Sequence, residues 1–454
     1  LVHGDDGHVL QEYGSDQFHL HQKIILIMKT LFLTLCALMG VCASLNAQQR
    51  PIDWVHGLND SQQFWQNERA LFQAERAGIN AGASTNANYA VNDGTRQGVG
   101  VFANRVAAQT NNGGVSLAIG HSMGGLAIRE LVRQDALRYR GMIACGSPLR
   151  GAKIMNSFQN GTLDQALNYG GWQMVRGPLA QLGYAAYFVA GVAADAFIPR
   201  LRQIYRDNFT AEYGEQTIID LAENSGYMND IRTFSSSTPR VYIWGNENSP
   251  IHWRLLSSTL RHNNNQAWQN GEDQEWADIA RNFADVYEAN AIANAAASVA
   301  AAIALNPSAV YFAWVSLEWK AGRDYIRTTS ESDWANVIGA ESGYVYNTST
   351  YVTNVCTNEY YYGTCGQYQD PQVRQACQNN CFQTVSYTYT FAVQSGSDGL
   401  VAGYSQRSDA TQWQVPSQDQ YEAVSVNHIE MRGHDNMTAR LRDVFNRNDV
   451  FRIQ

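Results

Sequence analysis

No part of this chain constrains its fold more than the stretch around Gly120, His121, Ser122, Met123, Gly124 and Gly125. Val115, Leu117, Ala118 and Ile119 before it read as a buried strand, and Leu126, Ile128 and Leu131 after it read as one face of a helix. Small glycines between the two permit a very tight strand-to-helix turn, the arrangement called a nucleophile elbow. A serine at the apex of such a turn projects its hydroxyl beyond the sheet edge. The backbone N–H groups that follow sit at a helix N-terminus, where a developing oxyanion is stabilised. A G-x-S-x-G string by itself occurs by chance, so the strand before it and the helix after it carry the assignment.

The order of elements around the elbow extends the reading. Ile52 to Val55 form a short strand ending in His56, Gly57 and Leu58, and a helix-like segment runs from Ser61 to Ala77. A helix from Gly98 to Ala108, the strand and helix around Ser122 and a strand from Gly141 to Ala144 continue the alternation. Alternating strands and helices predict a mostly parallel sheet with helices on both faces. From Gly151 to about Thr238 the pattern turns helical, with an apolar stretch from Leu182 to Ile198, before Val241 to Trp244 resume as a buried strand. A second helical insertion follows from about Asn263 to Ala340. Within it Ala291 to Leu305 is Ala-rich and nearly all apolar, is stopped by Pro307, and is followed by Val310 to Trp319. These two helices read as a buried hairpin, with a lid or a lipid-facing surface as the alternative, while Asn290 and Asn294 argue against a membrane span. Thr384 to Val393 alternates as a strand should, and Thr438 to Phe445 forms a terminal amphipathic helix.

The expected organisation is therefore residues 1–27 as an upstream segment outside the mature protein, 28–47 as a signal peptide, and 48–151 as the first part of the core. Residues 152–238 form a helical lid or cap insertion and 239–262 a core strand with its connection. Residues 263–382 form the second insertion and 383–454 the rest of the core. Met28 and Lys29 precede an apolar block from Leu31 to Val41 and small residues at Ala43, Ser44 and Ala47, the build of a cleaved secretory signal, which predicts a secreted or periplasmic protein. A formal net charge of −9 without a Lys/Arg cluster excludes nucleic acid as the expected partner. Of the seven cysteines, Cys36 and Cys42 fall in the leader and Cys145 reads as a buried free thiol. Cys356, Cys365, Cys377 and Cys381 crowd into a Tyr-, Asn- and Gln-rich stretch, and in an exported chain they read as two disulfides whose pairing spacing does not choose.

A serine hydroxyl needs a base within hydrogen-bond reach, and the base needs a carboxylate to hold its tautomer. In elbow-bearing sheets these follow in the order Ser, Asp or Glu, His, on loops after late strands. Asp398, in Ser397 to Val401, and His428, in Val426 to Met431, fit that order. His434 is the rival base at the entry of the terminal helix, and Glu247 is the rival acid, just past the strand ending in Gly245. His252 and His262 read as ordinary histidines, and His56 and His121 as loop and elbow residues rather than bases. The oxyanion donors would be the backbone N–H groups of Leu58 and Met123.

The strings WVHGL (54–58), GHSMGG (120–125), GSPLRGA (146–152), VYIWGNENSP (241–250), SDGLV (397–401) and NHIEM (427–431) occur in the order found in secreted bacterial triacylglycerol lipases of the α/β-hydrolase fold. The chain resembles that family over its core, though not over its two insertions. The resemblance implies an esterase or lipase with Ser122 as nucleophile, Asp398 as acid, His428 as base and Leu58 and Met123 as oxyanion donors. It also implies an ester or lipid substrate, contact with lipid aggregates, and a helical lid after Gly151. In those lipases the last two strings frame a calcium ion that steadies the histidine loop. Here Glu430 stands in place of the aspartate, as the candidate ligand. The same triad serves amidases, thioesterases and acyltransferases, and an inactive binding protein on a hydrolase scaffold is the reading from another class.

Overall fold

In a computed structural model the described residues are 51–58, 60–76, 85–86, 96–110, 116–189, 213–247, 272–340, 345–356, 382–393, 396–409 and 411–453, with single positions between 203 and 211 and at 252 and 372. The expected leader, residues 190–198 of the apolar stretch, His262, Cys365, Cys377 and Cys381 lie outside them, and of Cys356 only the backbone is described.

Six parallel strands form the main sheet: β1 (Ile52–Val55), the two-residue β2 (Thr85–Asn86), β3 (Leu117–His121), β4 (Gly141–Cys145), β5 (Arg240–Asn246) and, last along the chain, Gln420–Val424. Their spatial order is β2-β1-β3-β4-β5 with Gln420–Val424 beside β5. Helices α1 (Gln66–Glu75), α2 (Val99–Ala107) and α3 (Met123–Gln134) follow the early strands. The alternation has a direct physical result, because successive side chains of a strand point to opposite faces. Ala118, Met142, Ala144 and Tyr242 enter one core with α2 and α3, whereas Leu117, Ile119, Ile143, Val241 and Ile243 enter the other with Phe72 of α1. Both faces are covered at the centre of the sheet, so β3 and β4 are buried along their whole length, while Gln420–Val424 at the edge is buried only at Ala423. This is an α/β fold with a parallel sheet.

Between β4 and β5 run α4 (Lys153–Asn160), α5 (Thr162–Gln181), α6 (Glu215–Leu221) and α7 (Gly226–Thr233), and no strand interrupts them among the described residues. The second insertion contributes the long helix α8 (Glu272–Ile303), α9 (Ser308–Asp324), a π-helical turn (Tyr325–Thr329) and α10 (Ser330–Ile338). α8 and α9 pack on α5 around Ala180, Ala284, Tyr287, Val315 and Trp319. Gly177 of α5 lets the helices approach, since a Cβ there would lie 2.8 Å from the Trp319 ring.

The strand expected over 384–393 forms, but outside the parallel sheet. β6 (Val345–Cys356) and β7 (Phe382–Val393) make a separate antiparallel pair, with Val345 opposite Val393 and Cys356 opposite Phe382. Its alternating pattern predicts a strand and carries no information about which sheet receives it. The chain then passes a short helix α11 (Gly403–Gln406), rejoins the main sheet as β8 (Gln420–Val424), and ends in α12 (Asp435–Phe445), whose Met437, Leu441 and Phe445 complete the second core.

Candidate active site

Parallel strands bring their carboxyl ends to one edge, and the loops at that edge are where α/β proteins build sites. His56, Gly57 and Leu58 follow β1, Ser122 follows β3, Gly146 follows β4, Glu247 follows β5 and His428 follows β8.

Ser122 has φ +51° and ψ −127°, a conformation that a residue with a side chain rarely adopts. Its N–H donates to the Cys145 carbonyl at 3.0 Å, and its own carbonyl accepts from Gly125 at 3.1 Å, which hold the turn between β4 and the first turn of α3. The flanking glycines have steric reasons. A Cβ on Gly120 would lie 2.6 Å from the Gly125 nitrogen, and one on Gly124 would lie 2.5 Å from the His56 carbonyl oxygen. Met123 is the first helical residue, so its N–H has no acceptor within the helix. A Cβ on Gly57 would lie 2.8 Å from the Ser122 Cβ, so the loop carrying Leu58 runs directly against the serine.

His428 Nε2 lies 2.9 Å from Ser122 Oγ, and its Nδ1 lies 2.7 Å from Asp398 Oδ2. Asp398 is fully buried, and its second oxygen accepts from the Leu400 and Val401 N–H groups at 3.0 and 2.7 Å. The His428 N–H in turn donates to the Asp398 carbonyl at 2.8 Å, so backbone and side chain both join acid to base. The three residues named from sequence therefore meet in one hydrogen-bonded series. His434 does not enter it; its side chain caps α12 by accepting from the Asn436 N–H.

The acid loop reaches this position through β5. The Glu247 N–H donates to the Ser397 carbonyl at 2.8 Å, and Asn246 Oδ1 accepts from the Gly396 N–H at 2.9 Å. Gln406 accepts from the Gly245 N–H at 2.9 Å and donates to the Val401 carbonyl at 2.8 Å. Gly245 is needed for this approach, because its Cβ would stand 2.8 Å from the Asp398 Cβ.

Two further residues steady the series, and sequence reasoning assigned neither to it. His121 lies beneath the histidine loop, its Nε2–H donating to the His428 carbonyl at 2.9 Å while its ring stacks on Phe64 at 4.2 Å. Burial, followed by the neighbouring His428 ring, holds the His121 imidazole well below its usual pKa, so it stays neutral. Trp334, on α10 of the inserted layer, donates its indole N–H to the Gly399 carbonyl at 2.7 Å, next to Asp398. His121 was legible as an elbow neighbour, whereas nothing local to Trp334 marks its contact with a loop so distant in the chain.

Cys145 is a free, buried thiol whose pKa burial pushes well up, so it is inert. Glu430 forms a capping box: Asn427 Oδ1 accepts from the Ile429 and Glu430 N–H groups, and Glu430 Oε2 accepts from the Asn427 N–H at 3.3 Å. Among the described residues no three His, Cys, Asp or Glu side chains gather as a metal site, and both Asp398 oxygens are spent on hydrogen bonds. Among the described residues only Glu430 stands where the resemblance implies a calcium ligand, and the histidine loop is tied by hydrogen bonds to Asp398 and His121. No protein-family model matches this chain, and no curated protein matches it.

Proposed function

We propose that this chain is a serine hydrolase of α/β-hydrolase topology, a carboxylic-ester hydrolase of the lipase and esterase kind. The hydrogen-bonded series Ser122–His428–Asp398 carries this reading, at 2.9 and 2.7 Å, on an elbow whose serine is held at positive φ. The leader expected from Met28 to Ala47 makes it an exported enzyme.

In this mechanism Ser122 Oγ attacks the ester carbonyl carbon as His428 Nε2 takes the hydroxyl proton. Asp398 keeps the imidazole in the tautomer that leaves Nε2 free and stabilises the imidazolium that forms. The carbonyl π-pair moves onto oxygen, and the N–H groups of Leu58 and Met123 stabilise that oxyanion. Collapse expels the alcohol, which leaves with the proton from His428, and an acyl ester remains on Ser122. Water then attacks this ester with His428 again as base, the free acid departs, and Ser122 regains its proton. The test is a fluorophosphonate labelling reaction followed by rates on p-nitrophenyl esters of increasing acyl length, with matched amides and thioesters alongside. Labelling of Ser122 with turnover of esters is expected. A folded protein that neither labels nor turns over would favour an inactive binding scaffold.

A further inference from the structure

The helical layer carries a surface that ester hydrolysis at Ser122 does not use. α8 and α9 form a hairpin whose far end, from Ala289 to Leu317, contains no charged residue. At its base ion pairs gather: Arg323 and Arg327 each meet Glu288 at 2.8 Å, Arg327 meets Asp285 at 3.0 Å, and Arg176 meets Glu318, with Lys320 exposed beside them.

Within the uncharged part, Asn294, Ser298 and Ser316 are turned inward, while Asn306 at the turn is exposed and accepts from the Ser308 N–H. Ser298 Oγ donates to the Ala309 carbonyl at 2.8 Å and Ser316 Oγ to the Ala291 carbonyl at 2.7 Å. Asn294 donates to Gln181 at 3.0 Å and to the Asn290 carbonyl at 2.8 Å. The turn closes on itself through Leu305 N–H to the Ala302 carbonyl and Asn306 N–H to the Ala301 carbonyl. Outward stand Val299, Ile303, Leu305 and Val310, 61, 80, 91 and 72% exposed. Leu305 has φ +51°, at the helix end where glycine is the ordinary residue. Leu305 thus presents a large apolar side chain to solvent at a backbone position that glycine would fill without strain.

Between end and base lies an aromatic collar, in which Tyr184 stacks on Trp314 at 4.3 Å and Tyr187 meets it edge-on at 4.9 Å. Aliphatic end, aromatic collar and ionic base follow one another as hydrocarbon, headgroups and water do across a lipid surface. From Val299 to Leu305 the rise is roughly 9 Å at helical pitch, about the depth to which interfacial elements sink. Among the described residues no helix is long and apolar enough to cross a membrane. Protein interfaces are typically anchored by aromatic or arginine side chains, and the exposed residues of this end are neither.

We propose that the end of the α8–α9 hairpin docks on a lipid surface, sinking Val299, Ile303, Leu305 and Val310 among the acyl chains. Docking needs no anionic lipid, because the end offers no cation. This deepens the ester-hydrolase reading, and rests on it only for what docking serves: substrates that reside in that surface.

The test is co-sedimentation of the full chain with phosphatidylcholine vesicles, for the wild type, Ile303→Asp/Leu305→Asp, and Leu305→Gly. Leu305→Gly relieves the backbone strain and so keeps the fold. Wild type should pellet with vesicles, the double variant should partition at least about tenfold less, and Leu305→Gly should fall between them. Phosphonate labelling and rates on a soluble short-chain ester should be equal in all three. Wild type left in the supernatant would overturn the proposal, as would variants that bind equally well. Wild-type self-association without lipid, abolished by the substitutions and unaccompanied by vesicle binding, would assign the surface to a second copy instead. Vesicle binding without phosphonate labelling would leave docking standing and remove the hydrolase reading alone.

Discussion

The Glu247 N–H donates to the Ser397 carbonyl at 2.8 Å, so the chain leaves the main sheet at β5 and returns, after the whole second insertion, to the point it left. The two candidate acids of the sequence thus occupy one corner of the sheet edge. Asp398 faces His428 there, and the end of β5 supplies the wall against which the acid loop is built.

Replacement of the acid follows directly. Asp398→Asn should keep the loop but lower kcat by up to ~10⁴-fold, because the amide no longer selects the productive imidazole tautomer. Glu247→Gln should change kcat little. Steady-state rates of the two purified variants on a soluble ester check this, and the reverse pattern would transfer the acid role to Glu247.

Ser122→Ala should abolish ester hydrolysis and fluorophosphonate labelling while leaving the fold unchanged. Alanine keeps the Cβ and therefore the same positive-φ strain, so only the oxygen is lost. Mass spectrometry of the labelled protein, beside its circular dichroism spectrum, reads both halves. A covalent adduct on the alanine variant would sink the assignment.

Trp334→Phe keeps the ring body and removes the N–H that holds the Gly399 carbonyl. A neutral hydrogen bond contributes about 1 kcal/mol net, so kcat should fall about fivefold through a loosened acid loop. KM should move little, and the rate of phosphonate labelling should fall with kcat. Unchanged labelling would reduce Trp334 to packing.

Acid stability depends on the buried histidines. Burial lowers the pKa of His56 to about 3 and that of His252 to about 4, from an ordinary 6.5. Below pH 6.5 the unfolded chain takes up these protons and the folded one does not, so stability is full above that pH and declines towards pH 4. His252→Asn should flatten the decline, by roughly 3 kcal/mol at most across this window. Urea unfolding at pH 7 and pH 4.5 measures it, and equal pH dependence in both proteins would refute it.

The features legible in the chain before folding are local ones. Apolar runs with small residues between them defined β3, the elbow and α3, because close packing of Gly120 and Gly124 against neighbouring backbone is written in adjacent residues. The order of strand-like segments implied a parallel sheet, since covered strands must be apolar on both faces. Asp398 and His428 were legible from their loops and their order along the chain. Contacts between distant segments follow from the packing of the folded chain. It paired Phe382–Val393 with Val345–Cys356 rather than with the main sheet. It brought His121 beneath the His428 carbonyl, and it set Trp334 of the insertion on the acid loop. It also turned Asn294, Ser298 and Ser316 inward and Val299, Ile303, Leu305 and Val310 outward. An alternating or apolar pattern records that a face exists, while the partner of that face is chosen by the packing of the whole chain.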